Sequence, residues 1–245
     1  MLAIIGGSGL SKLGNMEVSR RKVVRTPYGE PSGPLTFGRL ADREVMFLAR
    51  HGYGHTIAPH QVNYRANMWA LKDSGAERIV SVASVGGIRK DLWPGVLVLP
   101  HQVVDYTWGR ASTYFEGVGV AVNHIDFTEP YTAGLRTALL SAAERCGERI
   151  VDGAVYGATQ GPRLETAAEI TRMEHDGCDL VGMTGMPEAS LAREIGLEYA
   201  TVAVIANFAA GRGDSAHAIS LDKIEAVLGE SMQRVRRIIE ELCRA

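Results

Sequence analysis

The chain has 245 residues, 46% of them apolar and 22% charged, enough to fill the core of one large domain or two small ones. Its formal net charge is −2 and no lysine- or arginine-rich block stands out, which argues against a nucleic-acid partner, since such a partner needs a basic face. No stretch approaches the roughly 20 apolar residues that span a bilayer, so no membrane role is expected, and the start, MLAIIGGSG, lacks the positive charge and apolar length of a signal peptide.

Leu2 to Ile5 is a short apolar run stopped by Gly6-Gly7-Ser8-Gly9, which predicts a buried strand running into a loop. Strands are predicted over Leu35–Arg39 and Glu44–Ala49, joined by a polar turn around Asp42, and a helix over Asn63–Ser74 with Met68 and Leu71 on one face. Arg78–Val85 is rich in β-branched residues and closes into Gly86-Gly87, and Gly95–Leu99 is a further apolar strand. A helix over Glu129–Arg145 and a strand over Val151–Ala158 follow. Thr166 and Glu169 have capping-box spacing, so a helix should run from Thr166 to about Asp176. Pro187 suits the first turn of a helix over Glu188–Ile195, and Glu198–Ala206 is the last strand. Ser220 can cap a final helix whose Leu221, Ile224, Val227, Leu228, Val235, Ile238, Ile239 and Leu242 form one stripe. The alternation of strands and helices makes the fold α/β, and with no repeat or linker residues 1–245 read as a single domain. Cys146, Cys178 and Cys243 fit neither a zinc site nor a CxxC pair and read as reduced thiols of a cytoplasmic protein.

In an open α/β sheet, the loops at strand carboxyl ends carry the site. The GGSG loop offers backbone N–H groups and a hydroxyl to a phosphate, although it also fits a plain tight turn. It is neither a P-loop nor a dinucleotide fingerprint, with Lys12 where the third glycine would stand. Arg50, His51, His55 and His60 follow a strand and suit an anion, or form an ordinary polar loop. Ala83 and Ser84 before Gly86-Gly87 let a ligand approach the backbone, or simply pack closely. The carboxylate of Glu165 can serve the positive end of the next helix or accept an N–H from a planar base. Thr184 can donate to an anion and Met183 can line a sugar. The amide of Asn207 suits a base edge that presents a carbonyl and a ring nitrogen, or is a cap.

The segments ARHGYGHTIAPHQVNYRANMWALK and GMTGMPEASLAREIGLEYA, in order with GGSGL, resemble the trimeric purine nucleoside phosphorylase and methylthioadenosine phosphorylase family over nearly the whole chain. The resemblance implies a twisted mixed central sheet flanked by helices and phosphorolysis of a purine nucleoside. Inorganic phosphate is then a co-substrate, and neither metal nor organic cofactor takes part. It implies that Ser8, Arg50, His51 and Thr184 bind phosphate with backbone help near Ser84, and that Met183 packs on the ribose. It also implies a homo-oligomer, a trimer, in which His124 reaches into a neighbouring subunit's site. Ala83 departs from the pattern, because relatives carry a Thr or Asn there that helps hold phosphate.

Adenine-specific members place two aspartates after the last strand, where this chain has Asn207-Phe208-Ala209-Ala210. Asn207, with Leu164 and Glu165 of GPRLET, matches the 6-oxopurine enzymes instead: Glu165 would accept from N1–H, and Asn207 would meet O6 and N7. The histidine that serves the 5′-hydroxyl in ordinary members aligns with Leu221, close to Ile219, with His217 nearby. An oxopurine pocket beside an apolar 5′ wall points to S-methyl-5′-thioinosine, ahead of inosine or guanosine and of methylthioadenosine. A catalytically silent purine-binding protein, to which Ala83 lends some weight, and a calcium-dependent nucleoside hydrolase are the readings of other classes.

Overall fold

The computed structural model describes residues 1–244. In chain order the strands are β1 (Leu2–Gly6), β2 (Glu17–Lys22), β3 (Leu35–Leu40), β4 (Arg43–Ala49), β5 (Arg78–Gly87), β6 (Leu97–Leu99), β7 (Gln102–Asp105), β8 (Val151–Asp152), β9 (Val155–Ala158), β10 (Leu180–Gly182) and β11 (Glu198–Phe208). The helices are α1 (Tyr64–Asp73), α2 (Ala133–Arg145), α3 (Ala167–His175), α4 (Glu188–Glu194) and α5 (Leu221–Arg244). All the strands belong to one mixed sheet, as expected of the α/β class. Among the described residues no helix is long and apolar enough to cross a membrane.

Along β5 and β11 the side chains alternate between two cores, as the period of two requires. Ile79, Ala83, Val85, Tyr199, Ala203 and Ile205 face a core shared with α1 and α4. Val80, Val82, Ala200, Val202 and Val204 face one shared with α2 and α5. Of the predicted stripe, helix α5 buries Leu228, Val235, Ile238, Ile239 and Leu242, together with Met232; Ile224 and Val227 are half-buried and Leu221 is exposed.

Strand β5 is where the sheet opens. Strand β11 runs parallel to β5 from Arg78 to Gly87. On the other edge β1 pairs only with Arg78–Ser81, and β10 joins antiparallel only at Gly86 and Gly87. Residues 82–85 therefore have no strand neighbour on that edge, and the loops after β1, β4 and β10 converge on the gap. A register shift between Ile205 and Asn207 places Ala206 as a bulge, so that Asn207 pairs with Gly86. Such an extra residue re-aims the side chains that follow it.

Several boundaries differ from the sequence expectation, each for a tertiary reason. The helix expected from Glu129 starts at Ala133, because Thr132 is extended and docked on β11: its N–H donates to Tyr199 O at 2.8 Å, and its hydroxyl accepts from Tyr199 N–H at 3.0 Å. The strand expected over Val151–Ala158 is two strands split at Gly153, whose φ is 89°, and they pair with different neighbours. The strand expected from Gly95 begins at Leu97. Strands β2 and β7 were not expected; β2 is exposed at every residue and has no apolar alternation to announce it. Pro187 sits at the cap of α4, one residue before its first turn. The capping box of α3 is present in both directions, between Thr166 and Glu169.

Candidate active site

A cavity of about 540 Å³ lies at the opening of the sheet, within the size range of small-molecule sites. Its wall brings together Ser8, Arg50, His51, Ser84, Thr184, Met183, Leu164, Glu165, Asn207, Ile219 and Leu221, together with Ala83. These residues come from seven separate stretches of the chain. Two expected residues are not on the wall. His217 is exposed and off the wall, two residues after the short 3-10 turn Gly213–Ser215 and two before Ile219, which lines it. His124 is exposed on the irregular stretch between β7 and α2 and lines no part of the cavity in its own subunit.

Arg50 follows β4 directly and is completely buried. Its Nε and Nη2 donate to the two carboxylate oxygens of Glu188 at 2.7 and 2.9 Å, Nη2 also to Ser81 Oγ at 2.7 Å, and Nη1 to Val82 O at 3.0 Å. Glu188 Oε1 accepts in addition from Ser81 Oγ and Tyr199 Oη, each at 2.7 Å. Burial disfavours both charges, but each partner more than offsets this for the other: the guanidinium is held above its ordinary pKa and the carboxyl below its own. The pair is therefore ionised. A guanidinium has five N–H donors, and these four bonds leave one, on Nη1. That nitrogen lies against the loop after β1, where a Cβ on Gly7 would sit 2.9 Å from it and 2.6 Å from Val82 O. Only a glycine allows this approach.

The Nδ1 of His51 is 2.8 Å from Ile57 O. A carbonyl only accepts, so Nδ1 carries the proton and Nε2 keeps a lone pair in the neutral ring. Burial first, and then the adjacent Arg50 cation, lower the His51 pKa from 6.5 to about 4. Its ring is 4.8 Å from that of His55, and His55 Nε2 lies 3.4 Å from Ser8 Oγ. His55 lines the cavity too; the sequence motif included it without a distinct role. Ser84 Oγ donates to Ser8 O at 3.0 Å and pins the glycine loop to β5. Thr184 is buried, at the turn after β10.

Elsewhere on the wall Asn207 Nδ2 donates to Phe208 O at 2.6 Å. This fixes the amide orientation and leaves one N–H and Oδ1 for a ligand. Glu165 Oε1 accepts from Thr159 Oγ1 at 2.6 Å, so a second oxygen remains for a donor on a base. Thr159 is a site-supporting residue that the sequence does not announce. Glu165 is the sole acidic side chain on the cavity wall among the described residues. The remaining wall is apolar, with Ile224 and Leu228 of α5 extending the patch begun by Ile219 and Leu221. Among the described residues no three His, Cys, Asp or Glu side chains are grouped to hold a metal ion.

The His51 geometry has a pH consequence. Between 6.5 and about 4 the unfolded chain binds a proton that folded His51 does not, so stability present near neutrality is lost as the pH falls through that window. Measured by denaturant unfolding, the wild type should lose on the order of 2 kcal/mol more than His51→Asn between pH 7 and pH 4. An unchanged difference across the range would mean that His51 titrates normally.

The phosphorylase superfamily model matches residues 1–244. A probable S-methyl-5′-thioinosine phosphorylase of Xanthomonas campestris pv. campestris is 51% identical over 243 residues, which cover 99% of this chain and 97% of the relative. A 6-oxopurine nucleoside phosphorylase of Pyrococcus furiosus is 46% identical over 215 residues, covering 86% and 80%. Among solved structures, methylthioadenosine phosphorylase from Schistosoma mansoni in complex with adenine superposes with a TM-score of 0.94 at 33% identity, covering 99% of this chain and 90% of that one. With its fold, its cavity and these relatives in agreement, the chain belongs to the phosphorylase superfamily.

Proposed function

We propose that the protein cleaves the N-glycosidic bond of S-methyl-5′-thioinosine with inorganic phosphate, giving hypoxanthine and S-methyl-5-thioribose 1-phosphate. The observation that carries this reading is a single cavity whose wall carries both Glu165 and Asn207 and the apolar Ile219, Leu221, Ile224 and Leu228. Glu165 would accept N1–H of hypoxanthine through its free oxygen, and Asn207 would donate its remaining N–H to O6 and accept at Oδ1 from N7–H as the departing purine is protonated there. An adenine edge presents the reverse pattern at the six position and would leave buried groups unpaired. The names of the relatives from Xanthomonas and Pyrococcus support the same choice of base.

In this reading the N9–C1′ bond breaks with its electron pair going to the purine, which takes up a proton from water to leave as hypoxanthine; the ribose gains oxocarbenium character, and an anionic oxygen of monohydrogen phosphate forms the new bond to C1′ from the opposite face, the phosphate proton passing to solvent. The chain's part is positioning and charge stabilisation. Phosphate would lie against the GGSG loop, meeting Ser8, Thr184, backbone near Ser84 and the remaining Nη1–H of Arg50. Neutral His51 would accept a hydrogen bond at Nε2 from the one O–H of monohydrogen phosphate. Met183 would face the ribose, and its amide N–H is the main-chain group available there, since its carbonyl is already bonded to Arg110. No metal or organic cofactor is assigned a role. One sheet carrying both cores supports reading the chain as a single catalytic domain, and three free cysteines suit a cytoplasmic setting.

A second reading, general inosine or guanosine phosphorolysis, is favoured by one observation: Leu221 is 69% exposed in the isolated chain, so the apolar wall is open at its rim. The stretch that carries His124 also exposes Trp108, Phe115, Val118, Val120 and Val122. Such a run suits an interface and supports a homotrimer in which His124 completes the neighbour's 5′ end.

Purine release from methylthioinosine, inosine, methylthioadenosine and adenosine, with and without phosphate, tests the base and 5′ assignments together. Phosphate-dependent release should favour methylthioinosine, and Asn207→Asp should lower turnover of 6-oxopurine nucleosides at least 100-fold while moving preference toward 6-aminopurines. Unchanged hypoxanthine release by Asn207→Asp would refute the base assignment. Ala83→Thr restores a hydroxyl on the phosphate side, and the KM for phosphate should fall about 10-fold, one hydrogen bond to a charged group; an unchanged KM would place Ala83 away from phosphate. Light scattering should return three chain masses, and His124→Ala should raise the KM for methylthioinosine while the trimer persists. A monomer with full activity would sink the shared site.

A further inference from the structure

Arg110 lies in the irregular stretch between β7 and α2 and is not on the cavity wall. Its guanidinium nevertheless binds the backs of the loops that are. Nη2 donates to Thr159 O at 3.1 Å and Gln160 O at 2.8 Å, and Nε to Gln160 Oε1 at 3.1 Å. Nη1 donates to Met183 O at 2.9 Å and Met186 O at 2.5 Å, with Tyr64 Oη also at 3.3 Å. Thr159 and Gln160 lead into the loop that carries Leu164 and Glu165, whereas Met183 to Met186 is the turn that carries Thr184. Tyr64 in turn donates to Pro59 O at 2.9 Å, and Pro59 lies on the cavity wall. The five N–H groups of one side chain are thus all engaged, and none of the acceptors is a carboxylate. The charge is met by four backbone carbonyls, the side-chain amide of Gln160 and the hydroxyl of Tyr64, and the fork spans the two loops just beyond the last strand pairing between them, Ala158 with Gly182, and the bond from Thr159 N–H to Gly182 O.

We propose that Arg110 is a positioning residue that sets the distance between the base-binding loop and the ribose- and phosphate-binding turn. The proposal rests on the phosphorolysis reading above. A planar fork can hold four carbonyls on two loops at once. A lysine offers three donors from a single point and cannot span the same acceptors in one geometry. Losing the fork leaves each loop able to meet its own ligand fragment but lets the two drift apart. The reaction needs both halves in register, and a misplacement of about 1 Å can cost on the order of 100-fold in rate.

The test compares wild type with Arg110→Lys and Arg110→Ala by steady-state phosphorolysis of methylthioinosine and inosine, calorimetric titration with hypoxanthine alone, and thermal unfolding. For Arg110→Lys, kcat on the better substrate should fall at least 30-fold while the Kd for hypoxanthine stays within about threefold of wild type. Arg110→Ala should repeat the split if it remains folded, and the lysine variant decides the matter if it does not. A kcat within threefold of wild type in Arg110→Lys, or a loss of hypoxanthine binding and melting temperature in step with kcat, would overturn the positioning role. Wild-type protein that releases no purine, or releases it without phosphate, would instead overturn the functional reading on which the role rests.

Discussion

The Arg50–Glu188 ion pair is the constraint around which the rest of this molecule is arranged. Both side chains are fully excluded from solvent. Bringing two such ions out of water costs several kcal/mol each, and only close geometry with the remaining donors and acceptors satisfied offsets it. That geometry is supplied by four elements at once: the end of β4 gives Arg50, β5 gives Ser81 and the carbonyl of Val82, α4 gives Glu188, and β11 gives Tyr199. The pair therefore ties together the strands that flank the opening of the sheet. It also sets the electrostatics of the next residue, since the Arg50 cation is one of the two main reasons that His51 stays neutral.

A consequence concerns how an anion would be held here. Glu188 neutralises most of the charge that Arg50 contributes, and His51 adds none near neutral pH. A phosphate in this cavity would depend on directed donors, namely the backbone of the glycine loop, the hydroxyls of Ser8 and Thr184, and one N–H of Arg50, rather than on net positive charge. Under that regime each hydroxyl counts, which is why the alanine at position 83 carries weight out of proportion to its size. The loss is not made good by its neighbour, because the Ser84 hydroxyl proton already serves Ser8 O.

Elements with strong apolar periodicity were legible in the sequence: β1, β4, β5, β11 and above all α5, as was the capping box of α3. Strand β2 was not, because its six residues are all exposed and carry no apolar alternation. The start of α2 was set by the docking of Thr132 on Tyr199, a contact 67 residues apart. The site divides in the same way. Loop motifs with unusual composition, such as GGSG, Arg50-His51 and Gly-Pro ahead of Glu165, were visible as short patterns. Their supports were not: Glu188 reaches Arg50 across 138 residues, and Arg110 reaches Met183 across 73. His217 is a case of the opposite kind, close to Ile219 in sequence but exposed and off the wall. Local chemistry announces what faces a ligand, whereas the contacts that hold it there depend on topology.

In the proposed reading, the groups that would meet the base and those that would meet the 5′ substituent have unequal power to discriminate. At the base end, Thr159 orients Glu165 and Phe208 O orients Asn207, so a ligand with the wrong donor pattern would face groups already fixed in direction. Sites of this kind reject a mismatched partner by about 10⁴-fold or more. The 5′ end is built from Ile219, Leu221, Ile224 and Leu228, which offer no directed group. An apolar wall can favour a methylthio substituent by roughly 10- to 200-fold over a hydroxyl, and no further, because the hydroxyl can turn toward water through the open rim. The structure therefore argues for strict choice of base and graded choice of 5′ substituent. If the proposed trimer places a neighbouring subunit over Leu221, the grading would be steepest there, since closing the rim removes the water that an intruding hydroxyl needs.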